Sequence, residues 1–206
     1  VENAEGNSVS EPIIDEVAKL KLLDPACGSG HILVEGFDLL FQMYMEEFYS
    51  KEEAVISILN NNLYGLDIDK RAVQLSNFAI LLKAAVHFPD VLSKGILPNV
   101  YAMPEPVEFS YDEINLFLGE EGVDYRDNLT DALDLMQQAQ NLGSIMQFNW
   151  PDGMRGFVLD RLQQLESKDF RGFDEELLLV RIKPAINVLS VLTQKYEAVA
   201  ANPPYM

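Results

Sequence analysis

The sequence predicts an α/β fold in which short apolar strands alternate with helices around a parallel sheet. The apolar pair Leu22–Leu23 ends at a glycine turn, and the spacing of the next apolar residues, I-L-V-E-G-F-D-L-L-F, is helical. A second apolar run ends at Asp67 and precedes another helical pattern. The chain has 206 residues, 48% of them hydrophobic, which is enough for one domain with a real core.

The elements follow in chain order. Strands are predicted at about 21–23, 63–67, 99–103 and 197–201, and helices at about 11–19, 31–49, 51–60 and 70–85. Ser50 is the predicted N-cap of the third helix, and Asn60–Asn62 are expected to end it. Residues 107–195 are too long for an ordinary connection and carry helical patterns at 111–118, 128–142, 154–167 and 174–196. The last of these predicts the crossover into the fourth strand, beside the first.

The glycine turn predicts a nucleotide site. Gly28 and Gly30 lie between a strand and a helix N-terminus, where free N–H groups point at a ligand. A dinucleotide fingerprint would need a third glycine at the position of Leu33. A Walker loop would need a lysine, and there is none between Lys21 and Lys51. The turn therefore suits a ligand with an amino-acid part and a nucleoside, and with little negative charge.

Asp67 is the second candidate ligand residue. A carboxylate at the end of the second strand is placed to accept hydrogen bonds from ribose hydroxyls. The alternative is that Asp67 or Asp69 caps the next helix. We assign Asp69 to the cap and Asp67 to the ligand.

Composition excludes several classes of protein. The net charge is −18, the wrong sign for gripping a phosphate backbone, but residues 105–180, with 17 acidic and 5 basic residues, carry −12 of it. We interpret this acidity as a solubilising face. The single cysteine, Cys27, allows no internal disulfide and predicts no metal cluster. No apolar run is long enough for a membrane span and no signal peptide is evident, so no membrane partner and a cytoplasmic location are expected.

Three motifs, in order, carry a family resemblance. They are D-P-A-C-G-S-G at 24–30, N-N-L-Y-G-L-D-I-D at 61–69 and N-P-P-Y at 202–205. Together they resemble the gamma-class adenine methyltransferases that act on DNA in restriction–modification and BREX-type phage-defence systems. The resemblance implies a Rossmann-like, S-adenosylmethionine-dependent methyltransferase fold with a partial sheet and a helical insertion. Its parts would be an N-terminal extension (1–20), a cofactor-binding half (21–106), the insertion (107–195) and a strand with the catalytic motif (196–206).

The resemblance also assigns the cofactor contacts. S-adenosylmethionine would be bound by the residues of the first motif, namely Asp24, Pro25, Ala26, Gly28 and Gly30. Asp67 maps onto the ribose-binding acid, and Ile68 onto the residue that packs on the adenine of the cofactor. Glu105, just after the third strand, is the nearest candidate for the edge of that adenine. Its alternative is a plain surface glutamate.

Asn202, Pro203 and Tyr205 are the implied catalytic residues. The exocyclic nitrogen of adenine is a poor nucleophile, and two acceptors on its hydrogens, the Asn202 side chain and the Pro203 carbonyl, would free its lone pair. Tyr205 would stack on a base taken out of the duplex. Methylation of RNA or of protein glutamine, and a cofactor-binding module without catalysis, are the alternatives.

Members of this family continue past the tetrapeptide and begin upstream of the first strand. The sequence is therefore expected to be a fragment that is inactive by itself. DNA would be reached through regions outside it, and other subunits of a restriction or defence system are candidate partners.

Overall fold

A computed structural model describes residues 14–138 and 148–202. Four strands form one sheet in the order β3-β2-β1-β4, with β1 Leu22–Asp24, β2 Leu63–Asp67, β3 Asn99–Ala102 and β4 Ala198–Val199. Strand β1 pairs in parallel with both β2 and β4, so that Leu23 lies opposite Tyr64 on one side and Val199 on the other. The predicted α/β fold and the position of the fourth strand beside the first are confirmed.

Seven α-helices lie in the described part of the chain. They are α1 His31–Glu46, α2 Lys51–Ser57, α3 Lys70–His87, α4 Tyr111–Leu118, α5 Arg126–Gln137, α6 Met154–Ser167 and α7 Phe173–Leu192. Short 3-10 segments occur at Val17–Lys19, Pro89–Ser93 and Glu120–Tyr125. None of these helices combines the length and the apolar character that crossing a bilayer requires.

The residues cluster into two compact units. The sheet unit contains Val1–Gly65, Arg71–Val100 and Tyr196–Met206, and the helical unit contains Leu66–Lys70 and Tyr101–Lys195. Each is described by itself below.

The core of the sheet unit contains buried side chains of helix α1 and of strand β2. Helix α1 buries side chains that recur at helical spacing: Leu33, Phe37, Leu40, Phe41 and Tyr44. The first three residues of β2, Leu63, Tyr64 and Gly65, are all buried, as expected of a strand inside a parallel sheet. A continuous apolar run rather than alternation is therefore the right signal for this strand.

Local capping decides where α2 begins. The Ser50 hydroxyl accepts a hydrogen bond from the Glu53 N–H at 3.2 Å, and the Glu53 carboxylate accepts one from the Ser50 N–H at 3.0 Å. This capping box confirms the predicted cap. The predicted helix end at 60–62 is wrong, because the chain continues as a π-helical turn, Ile58–Asn62, up to β2.

The predicted helix at 11–19 is confirmed only in part. Residues 11–13 lie outside the described residues, and the only helical stretch among residues 14–19 is the 3-10 segment Val17–Lys19.

Asn62 holds three parts of the sheet unit together. Its buried side chain donates to the carbonyls of Val17 and Leu20 at 2.8 and 2.7 Å and accepts from the Tyr44 hydroxyl at 2.9 Å. Asn62→Ala would remove three hydrogen bonds from a buried site, although the Tyr44 hydroxyl keeps its bond to Ser57 and the Val17 carbonyl its bond from Leu20. We therefore expect it to lower the free energy of unfolding by about 2–3 kcal/mol. Urea unfolding measures this, with exposed Asn61→Ala as the control. Equal effects of the two substitutions would contradict the account.

The core of the helical unit comes from the inner faces of its four helices. The buried residues include Ile114, Phe117, Leu129, Leu133, Met154, Val158, Ile182 and Ile186. Two arginines join the helices through backbone carbonyls, Arg155 to Ser190 at 2.8 Å and Arg161 to Phe117 at 2.7 Å. The helices predicted at 111–118 and 154–167 are confirmed at both ends.

Candidate cofactor and catalytic site

The turn after β1 is fixed by the last residue of the strand. Asp24 is 1% exposed, and its Oδ1 accepts a hydrogen bond from the Ala26 N–H at 3.1 Å. Pro25 lies between them and is exposed. The turn is closed by the Gly30 N–H, which donates to the Cys27 carbonyl at 2.8 Å. An aspartate with this local bond is a recurrent way of stabilising a turn, so Asp24 shapes the loop directly.

The two glycines of the turn are required for different reasons. Gly28 has φ +51°, and a Cβ built on it would have no heavy atom within 4 Å, so the space beside it is open to a ligand. Gly30 has φ +86°, and a Cβ there would lie 2.3 Å from the Ser76 hydroxyl oxygen on α3. Gly28 therefore leaves room for a ligand, while Gly30 lets a helix pack closely against the turn.

The N-terminus of α1 supplies backbone donors without a fixed charge. Its first turn contains no acidic residue, and residues 22–50 contain no lysine or arginine. The first N–H groups of a helix have no carbonyl partner within the helix and attract a carboxylate. The open space beside Gly28 and this donor set, which lacks a lysine or arginine, suit a ligand with a single carboxylate better than a polyphosphate.

Asn202 lies beyond the end of β4 in the same unit. Strand β4 is held on β1 by the Ala200 N–H, which donates to the Leu23 carbonyl at 2.9 Å, and by the Glu197 carboxylate, which accepts from the Lys21 N–H at 2.8 Å. The carboxyl ends of these parallel strands meet at one edge of the sheet, where such folds bind ligands. Asn202 is exposed there, and Pro203 and Tyr205 lie outside the described residues.

Asp67, in the helical unit, is the last residue of β2. Its Oδ1 accepts a hydrogen bond from the Asp69 N–H at 2.9 Å, and its carbonyl accepts one from the Met103 N–H at 2.9 Å. The Asp67 carboxylate, which is the predicted ribose acceptor, thus also holds the backbone of Asp69, the residue just before α3. Ile68 is 86% exposed, which leaves its side chain accessible to a flat ligand.

Glu105 forms an ion pair with Lys70. The two charged groups are 2.6 Å apart, and the side chain of Glu105 is 80% exposed. The Lys70 ammonium lowers the pKa of the Glu105 carboxyl below its usual range. An exposed ion pair is what the alternative, a plain surface glutamate, predicts. To bind the cofactor, Glu105 would have to give up its contact with Lys70.

Sequence reasoning did not identify Ser76 and Asn77. The Asn77 amide donates to the Val100 carbonyl at 3.1 Å and so ties α3 to β3, while Ser76 packs against Gly30. The Ser76 hydroxyl is buried and has no hydrogen-bond partner among the described residues. Two adjacent polar residues inside an otherwise apolar helix pattern are the signal that was available in the sequence.

The chain matches two methyltransferase family models. Residues 2–95 match the DNA-methyltransferase domain of MmeI. Residues 61–206, well over half of the chain and including Asp67 and Asn202, match the Eco57I restriction-modification methylase model. The chain belongs to the Eco57I restriction-modification methylase family. This membership agrees with the small parallel sheet and with the order of the three motifs.

Relatives of this Eco57I-family chain are named as adenine-specific methyltransferases. BrxX of Escherichia coli O9:H4 (strain HS) is 33% identical over 95% of this chain and 18% of its own length. PglX of Lacticaseibacillus casei (strain Zhang) is 32% identical over 92% of this chain and 16% of its own length. A putative type II restriction enzyme and methyltransferase of Methanocaldococcus jannaschii is 36% identical over 47% of this chain and 9% of its own length. The chain thus spans less than a fifth of the length of each of these three relatives.

Proposed function

We propose that this chain supplies the cofactor turn and the catalytic asparagine of an enzyme that methylates the exocyclic amine of adenine in DNA. The enzyme would serve host modification or phage defence, in keeping with the names of its relatives. The observation that carries the proposal is the family match over residues 61–206. It is supported by the pairing of β1 with β4, because the glycine turn follows the first of these strands and Asn202 follows the second. S-adenosylmethionine is the proposed cofactor, and when bound it would supply an electrophilic methyl group.

The residues of the turn would bind the cofactor. Asp24 holds the turn through the Ala26 N–H, Gly28 leaves open space, and the N-terminus of α1 offers N–H groups to a carboxylate. Gly30 keeps the turn packed on Ser76. Pro25 and Ala26 would line the same ligand, and Ile68 would offer an apolar surface to its adenine.

The chemistry of the target amine needs orientation more than a strong base. Asn202 would accept one hydrogen of the amine through its side-chain oxygen, and the Pro203 carbonyl would accept the other. Both hydrogen bonds favour a tetrahedral nitrogen whose lone pair is available for attack. Tyr205 would hold the extruded base by stacking. The rate gain comes from positioning and from dipoles set in place before the reaction.

Transfer of a labelled methyl group tests this function. The assay uses the protein expressed from the complete native reading frame that contains residues 1–206. This protein is incubated with DNA and with S-adenosylmethionine labelled in its methyl group. The expected product, after digestion to nucleosides, is labelled N6-methyldeoxyadenosine. Label in RNA or in protein glutamine, supplied in parallel reactions, would replace this proposal by one of those substrates. Cofactor binding without label in any product would indicate a binding module.

Asp67→Ala tests the ribose assignment. Losing charge-assisted hydrogen bonds worth about 1.5–3 kcal/mol is expected to weaken S-adenosylmethionine binding roughly ten- to a hundredfold. Isothermal titration of the chain measures the affinity. Asp69→Ala, two residues away and also at the start of α3, is the matched control and should bind with nearly wild-type affinity. An unchanged affinity for Asp67→Ala would exclude Asp67 as the ribose acceptor.

A further inference from the structure

One face of α7 in the helical unit exposes a row of apolar side chains. Phe173, Leu177 and Val180 are 81%, 50% and 67% exposed, and Pro184 continues the row and is also exposed. The spacing of four, three and four residues is that of a helix face that packs on another helix. Single exposed apolar residues are common in soluble proteins, but a row at this spacing marks an interaction surface.

Helix α4 lies beside this row and completes a groove. The α4–α7 groove is lined by Asp112, Glu113 and Leu116 of α4 and by Asp174, Leu177 and Leu178 of α7. Its volume is about 220 Å³, below the range of about 300–1,000 Å³ that small-molecule pockets occupy. A groove of this size and apolar floor suits a few side chains of a polypeptide better than a metabolite.

The two walls of the groove are fixed to each other. Arg181 of α7 forms an ion pair with Glu113 of α4 and donates to the Glu108 carbonyl at 2.7 Å. Its guanidinium also lies over the Phe109 ring, 5.2 Å from the ring centroid. The groove is therefore formed before any partner arrives, which lowers the entropy cost of binding.

The rim of the groove is negatively charged. Each basic side chain of 168–183 is already in an ion pair: Lys168 with Glu175, Arg171 with Glu176, Arg181 with Glu113 and Lys183 with Glu166. Asp112 and Asp174, by contrast, form no ion pair with another residue of the described ranges. The helix dipole explains an acidic residue in a first turn. It does not explain why Asp112 and Asp174 line the same groove as the exposed leucines Leu116 and Leu177.

We propose that the α4–α7 groove binds a basic amphipathic helix of a partner polypeptide. Apolar side chains of that helix, three and four residues apart, pack on Leu116 and Leu177, and its lysines or arginines face Asp112 and Asp174. A second copy of this chain is the less suitable occupant, because two chains of net charge −18 repel each other. On this account the acidity of residues 105–180 selects a partner and is more than a solubilising face.

Binding of a designed peptide to the full 206-residue chain tests the proposal. The probe is a fluorescein-labelled helix of about 18 residues, or five turns, with leucines at heptad spacing and lysines on either side of them. Its fluorescence polarisation should show saturable binding that weakens as salt rises. A peptide of the same composition with the leucines in scrambled order should bind much more weakly.

Two paired substitutions separate the apolar and the charged contributions. Leu116→Ala with Leu177→Ala should weaken binding about tenfold or more. Leu75→Ala with Leu82→Ala, at exposed positions of α3, should leave it unchanged. Asp112→Asn with Asp174→Asn should weaken binding and flatten its salt dependence, whereas Asp131→Asn with Asp134→Asn on α5 should not. Leu177→Ala alone, at a half-exposed position of the groove, replaces the leucine pair if circular dichroism shows that pair to be unfolded.

Three outcomes would overturn the proposal. Equal binding of the scrambled peptide, or equal losses in the control variants, would mean general attraction to an acidic chain. The absence of saturable binding would mean that the groove takes no such helix. A concentration-dependent dimer that Leu177→Ala abolishes would make a second copy the occupant. None of these outcomes affects the labelled-methyl assay, which tests the proposed function independently of the groove.

Discussion

Asn202→Ala is expected to lower the rate of adenine methylation about 100- to 1,000-fold while leaving the affinity for S-adenosylmethionine nearly unchanged. The side chain would contact the target amine and not the cofactor, so its loss removes an interaction that is strongest in the transition state. Removing one preorganised hydrogen-bonding group from a comparable site costs about 10²–10³ in rate. The substitution is made in the protein expressed from the complete native reading frame, and labelled-methyl transfer under single-turnover conditions measures the chemical step.

The control for this prediction is Asn60→Ala, an exposed asparagine on the π-helical turn before β2. It changes the same chemical group away from the proposed site and should retain the wild-type rate. Asn202→Asp is a second useful variant, since it keeps an acceptor oxygen but adds a charge. If Asn202→Ala keeps its rate, or loses cofactor affinity in proportion to rate, Asn202 is not the group that activates the amine.

Gly30→Ala is expected to cost about 2–5 kcal/mol of stability. A residue with a Cβ at φ +86° costs about 1–2 kcal/mol, and forcing that Cβ against Ser76 adds about 1–3 kcal/mol of overpacking. The built Cβ lies 2.3 Å from Ser76 Oγ and 3.0 Å from its Cα, so a side-chain rotation alone does not relieve the contact. Thermal and urea unfolding measure the loss, and cofactor affinity should fall with it.

Gly28→Ala is the matched control, because it has a left-handed backbone but no atom within 4 Å of the new Cβ. Its stability cost should be the backbone part alone, about 1–2 kcal/mol. Its effect on cofactor affinity should nevertheless be large, since the methyl group enters the open side of the turn. Adding Ser76→Ala to Gly30→Ala should recover part of the lost stability. Equal stability of the two glycine variants would contradict the packing argument.

The elements that sequence could predict are those whose signal is local. The apolar pair before Asp24 and the apolar run 63–66 before Asp67 predict β1 and β2, since a short apolar run between polar residues suits a buried strand. Ser50 with Glu53 predicts the start of α2 from four residues alone. The cofactor turn was recognisable for the same reason, because two glycines and an aspartate within seven residues determine its shape.

The remaining features depend on residues that are distant in the chain. The three asparagines at 60–62 predict a helix end and not a π-helical turn, because Asn62 within that turn is held by Val17 and Leu20, more than 40 positions earlier. The Gly30–Ser76 contact joins a turn to a helix whose own pattern gives no reason for a serine there. The ion pair of Glu105 likewise depends on Lys70, which precedes it by 35 residues. Periodicity and capping rules say nothing about such pairs.

The most direct measurement of the central claim is a titration of the isotopically labelled chain with S-adenosylhomocysteine, followed through its backbone amide NMR signals. The account predicts saturable shifts that are largest at residues 26–33 and at Asp67 and Ile68, and that vanish in Gly28→Ala. Saturable shifts confined to other parts of the chain, or the absence of any saturable shift in a folded sample, would contradict the assignment of the β1 turn as the cofactor site.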